Sequence, residues 1–125
     1  VTEWAHDSWL GPQVERARPT TVIVSLGGND FRRFDPERVR DGIDRFIGKV
    51  RASGARLLWI SPPTMPFPDR VGARAMWQQA LGADMAWYPT EQLDIPRQED
   101  RVHPTIEGYQ ALAEILWTWM SAQVS

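Results

Sequence analysis

The chain has 125 residues and a mass of 14.3 kDa, room for one domain and hardly for two. Apolar residues make up 42% and charged residues 24%, which excludes a disordered chain, a collagen and a coiled coil. Fourteen basic against sixteen acidic residues leave a net charge of −2, without the basic excess of a nucleic-acid binder, and zero cysteines exclude disulfide scaffolds and thiolate chemistry.

In chain order, the first predicted element is a helix from about Asp7 to Ala17, with Leu10, Val14 and Ala17 on its apolar edge. The β-branched run Thr21–Leu26 follows and reads as a buried strand closed by Gly27-Gly28. Val39, Ile43, Phe46, Ile47 and Val50 recur at helical spacing and predict a helix over Pro36–Ala52, with Asp35 as N-cap and Gly54 at its release. A second apolar strand spans Arg56–Ile60, so strand, helix and strand form a βαβ unit with a right-handed crossover. Pro62, Pro63, Pro66 and Pro68 make Ser61–Asp69 a stiff loop. Further on come a helix over Val71–Leu81, a short strand over Met85–Tyr88 and a helix over Pro104–Ser121. Tyr109, Leu112, Ala113, Leu116, Trp119 and Met120 form the apolar stripe of this last helix.

Two or three strands alternating with helices give an α/β class and one domain over residues 1–125. A sheet this narrow leaves the edge of the Thr21 strand open unless a second chain or another segment pairs with it. No run reaches the roughly 18 apolar residues of a membrane span, and the N-terminal stretch does not read as a secretory signal. The compartment stays undetermined.

Ligands of open α/β sheets gather at the carboxyl ends of the strands, and two polar clusters fall there. Gly27-Gly28-Asn29-Asp30 ends the first strand, its glycines permitting a tight turn and its Asn29 amide offering a donor to an oxyanion. Alone, the tetrapeptide reads as a plain turn before it reads as a site. Asp100-Arg101-Val102-His103-Pro104-Thr105 opens the last helix. A carboxylate three residues before a histidine can fix the imidazole tautomer and leave Nε2 as a base. Alone, this cluster equally reads as a helix start with an exposed histidine.

Together, Gly-x-Asn-Asp after a strand and Asp-x-x-His-Pro-Thr before a terminal helix resemble the SGNH, or GDSL-type, hydrolases from about Pro19 to Trp119. The resemblance implies a flavodoxin-like parallel sheet in a three-layer α/β/α arrangement, incomplete in this chain. It also implies hydrolysis of acyl or acetyl esters by a serine mechanism. His103 would be the base, Asp100 its partner, and Asn29 with Gly27 would form the oxyanion hole. The substrate would be a small-molecule, carbohydrate or lipid ester, with no cofactor and no metal.

The family's Gly-Asp-Ser nucleophile block has no counterpart. The one Asp-Ser pair is Asp7-Ser8, preceded by His6 where the family has glycine, and too few positions separate Ser8 from Asn29 for the family's second strand and helix. Ser25, Ser53, Ser61, Ser121 and Ser125 offer nothing better. Three explanations fit: the carboxyl half of a hydrolase completed by another polypeptide, a binding module that keeps the fold without catalysis, or a reduced site using Ser8. The first is favoured, because Asn29, Asp100 and His103 all stand in place.

Of seven tryptophans, Trp59 reads as core, and Trp4, Trp77 and Trp87 read as packing before a ligand groove. Arg32 and Arg33 read as a solvated pair. His6 and His103 are too few for a histidine metal site, and no Gly-x-Gly-x-x-Gly or phosphate loop supports a nucleotide cofactor.

Overall fold

The structure, a computed structural model, describes residues 9–32, 35–62, 66, 72–82 and 85–124. Helix α1 spans Leu10–Ala17 and buries Leu10 and Val14; its predicted start at Asp7 lies outside the described residues. Strand β1 covers Thr21–Val24, two residues shorter than predicted, because the chain already turns away through Ser25 and Leu26 to Gly27 at φ +123°. A short helix α2 follows at Gly28–Arg32, where the sequence suggested a plain turn.

Helix α3 spans Pro36–Ala52 as predicted. The Asp35 carboxylate accepts the Arg38 amide at 3.2 Å and Pro36 occupies the first turn. Gly54 at φ +77° then releases the chain into strand β2, Arg56–Ile60. Helix α4 covers Ala73–Leu81, strand β3 Ala86–Tyr88, and a single 3₁₀ turn Thr90–Gln92. Helix α5 runs over Ile106–Val124.

The strands lie in the order β1-β2-β3, all parallel, with Val24 opposite Trp59 and Trp59 opposite Trp87. Alternation along the strands sends Val22, Val24, Leu57, Trp59 and Trp87 to one face, where α1, α3 and α4 cover them. Trp59 anchors this layer, edge-on to Phe46 at 5.4 Å and to Trp77 at 5.7 Å, and Trp59 and Trp77 are both fully buried. Each indole removes about 150–250 Å² from water, about 4–6 kcal/mol by area before ordering costs, so this cluster dominates the core. Trp77 is therefore a packing residue; Trp4 lies outside the described residues.

Leu58, Ile60 and Tyr88 face the other way, toward α5. Tyr88 meets the Trp119 ring at 5.2 Å and the Arg56 guanidinium donates to the Gln123 carbonyl. The sheet is thus flanked by helices on both faces. The covered side of α5 carries Gly108, Ala111, Leu112, Ile115, Leu116 and Trp119, whereas Tyr109 and Ala113 of the predicted stripe are exposed. Apolar residues run most of the way round this helix, and that blurred its periodicity.

Among the described residues β1 pairs with β2 alone. Along its outer edge lies a groove of about 390 Å³ lined by Leu10, Val14, Thr21–Leu26 and Phe46, and Ile23 is 51% exposed.

Candidate active site

At the carboxyl end of β1 the Trp59 indole N–H donates to the Leu26 carbonyl at 3.3 Å, tying the loop to the central strand. Gly27 is buried at φ +123°, and a Cβ there would stand 2.9 Å from the Trp77 ring and 3.1 Å from Pro62. Conformation and space both require glycine. The backbone thus reaches Asn29, which is exposed, and Asp30, which is half-buried.

The ends of β2 and β3 are joined by a polar network without counterpart in the sequence reading. Ser61, fully buried, donates to Glu91 Oε2 at 2.7 Å. Arg74 on α4 places one nitrogen, Nη1, within reach of three acceptors: Ser61 Oγ at 2.8 Å, the Pro62 carbonyl at 2.9 Å and Glu91 Oε2 at 3.2 Å. The Thr90 hydroxyl donates to the Ser61 carbonyl, and the Ser61 amide donates to the Tyr88 carbonyl at 2.9 Å.

From Glu91 the chain passes buried Ile95 and folds back on itself between Pro96 and Thr105. Arg97 bridges Pro104, the Gln98 amide donates to the His103 carbonyl at 2.8 Å, and the Thr105 amide to the Pro96 carbonyl at 3.0 Å. Arg97 Nη1 donates to the Val102 carbonyl at 3.1 Å, and Arg101 stands in the left-handed region at φ 57°. Inside this turn the Asp100 carboxylate is the organising group. Oδ1 accepts the amides of Val102 at 2.8 Å and His103 at 3.0 Å, and Oδ2 lies 2.6 Å from His103 Nδ1. The imidazole bond, reinforced by the two amides, lowers the Asp100 pKa from 3.8 to about 2. With Nδ1 donating to the carboxylate, Nε2 carries the free lone pair.

The turn is locked onto α5. Thr105 caps the helix, its hydroxyl accepting the Gly108 amide at 3.1 Å. Glu107, in the first turn, has its carboxyl pKa lowered by its own backbone N–H and then by the Thr105 hydroxyl. Gly108 packs against the Pro96 carbonyl so closely that a Cβ would collide with it. Between the 3₁₀ turn and the His103 turn lies an open cavity of about 390 Å³, lined by Glu91, Gln92, Asp94, Arg97 and Arg101 among others.

Gly27 and Asn29 therefore follow the carboxyl end of β1, and Asp100 and His103 are directly bonded in the segment that leaves β3. Ser8 lies outside the described residues, as do His6, Arg33 and most of the proline loop. Ser25 is exposed just past β1, Ser53 ends α3, and Ser121 lies within α5. Among the described residues no three His, Asp or Glu side chains group as metal ligands, and no helix is long and apolar enough to cross a membrane.

Compared with known proteins, residues 2–111 match the GDSL-like Lipase/Acylhydrolase family. No curated protein matches closely enough to count as a relative. A match over most of the chain, on a parallel α/β sheet with Gly-x-Asn-Asp following β1, places this protein: it belongs to the GDSL-like lipase/acylhydrolase family.

Proposed function

We propose that the chain carries the base and oxyanion elements of a serine ester hydrolase acting on acyl or acetyl esters. Family membership implies ester hydrolysis. The observation that carries the residue roles is the 2.6 Å contact between His103 Nδ1 and an Asp100 carboxylate already held by two amides. Such a carboxylate fixes the ring and stabilises the imidazolium that forms during turnover.

In the proposed reaction a serine Oγ attacks the ester carbonyl carbon and its proton passes to His103 Nε2. The oxyanion is met by the Asn29 side-chain N–H and the Gly27 amide. Collapse of the intermediate expels the alcohol, which takes the proton from His103. Water then hydrolyses the acyl-enzyme by the same route. The substrate is a small-molecule, carbohydrate or lipid ester, and residues 1–125 serve as one hydrolase-like unit.

The nucleophile is a serine of a second chain, placed along the outer edge of β1, whose apolar groove supports this reading. Ser8 is the second reading, favoured by a family match that begins upstream of it at residue 2. A fluorophosphonate probe on the native material, with mapping of the labelled serine, separates the two. Label on a co-purifying chain supports the first and label on Ser8 the second. No label on either supports a binding module that keeps the hydrolase fold.

A further inference from the structure

We propose that Ser61, Arg74 and Glu91 form a clamp that positions the His103 turn over the carboxyl end of the sheet. The inference rests on the esterase reading for its functional consequence and on geometry alone for its mechanical part.

The bonds that orient His103 on Asp100 all lie between Pro96 and Thr105, so they fix the pair internally and say nothing of where the pair stands. Its placement needs anchors outside the turn. Downstream, α5 supplies one through Gly108 and Thr105. Upstream, the chain is held at Thr90 and Glu91 by the buried end of β2 and by α4. Three elements that close far apart in sequence meet at one carboxylate oxygen, Glu91 Oε2, and one guanidinium nitrogen, Arg74 Nη1. The side chains of Arg74 and Glu91 are 19% and 24% exposed, so the pair carries a desolvation cost that apolar packing would avoid. Hydrogen bonds have fixed directions, and they set the height and heading of the segment that bears the base.

The test uses the native material, the full chain with any chain that co-purifies with it, carrying Glu91→Gln or Arg74→Met, and Glu114→Gln on α5 as control. The first readout is amide hydrogen exchange. Loss of the charged bond should speed exchange at the Gln98 and Thr105 amides about tenfold while the centre of β2 keeps its protection. A merely structural contribution would raise exchange throughout. The second readout is hydrolysis of p-nitrophenyl acetate, with kcat lowered about tenfold and KM unchanged, on the same energetic scale.

Unchanged exchange at Gln98 and Thr105 overturns the clamp, whatever the activity. Faster exchange with unchanged kcat, in a protein that His103→Ala inactivates, overturns its positioning role and leaves the esterase reading standing. If the native material is active and His103→Ala hydrolyses as fast as the parent, the esterase reading is what fails; an inactive isolated chain is what a nucleophile on a second chain requires, and in both cases the exchange result alone decides the clamp. Should Glu91→Gln fail to fold, Ser61→Ala removes one shared partner with the smallest change in volume and is read the same way.

Discussion

Asp100 holds His103 at two points, through the ring at 2.6 Å and through the backbone amide at 3.0 Å. The carboxylate therefore controls both where the imidazole begins and which way it faces. Removing either partner has separable consequences. His103→Ala should abolish ester hydrolysis with little change in thermal stability, since the side chain is 64% exposed. Asp100→Asn should lower kcat about a thousandfold or more through the wrong tautomer. Steady-state kinetics beside melting curves test both.

Asn29→Ala should lower kcat about a hundredfold or more and leave KM nearly unchanged, because an oxyanion donor acts in the transition state. Asn29 is exposed, so the melting temperature should stay within a degree or two of the parent. Full retained activity would remove Asn29 from the oxyanion site.

Two helical glycines should respond in opposite directions to alanine. Gly108→Ala drives a methyl into the Pro96 carbonyl and should cost about 1–3 kcal/mol as α5 and the turn move apart. Gly48→Ala, on the exposed face of α3 with nothing within 4 Å of the added carbon, should stabilise by about 0.5–1 kcal/mol. Denaturant unfolding of both variants gives the sign directly.

Asp100 also sets an acid limit. Its folded pKa of about 2 lies below its ordinary 3.8, so its stabilising bonds are fully present above the ordinary value and disappear as the pH falls through about 2. Glu107, lowered likewise, adds to the same trend. Carboxyl carbon shifts followed by NMR from pH 6 to 1.5 should show Asp100 still ionised below 3.8 and titrating near 2. Asp100 then remains ionised across the working range, and an acid limb in the rate belongs to another group.

What was legible in the sequence was what local chemistry encodes. Helix α3 and strand β2 follow from an unbroken apolar pattern and from punctuation at Asp35 and Gly54, and their bounds agree with expectation. The Asp100–His103 bond spans three residues and was equally local. Helix α2 went unseen because Gly-Gly-Asn-Asp carries the composition of a turn. The Ser61 network was invisible for the opposite reason: its partners stand 13 and 30 residues away and are joined only once the parallel sheet has formed. A serine directly after an apolar strand, followed by Pro-Pro, was the one signal that this strand end is enclosed.

The groove beside β1 and the half-bare Ile23 have a practical consequence for the molecule in solution. A strand edge that no other described residue pairs, with apolar flanks, can template further strands, and a net charge of −2 supplies little colloidal repulsion to oppose this. Whatever seats along that edge does double duty, finishing the sheet and shielding its stickiest flank.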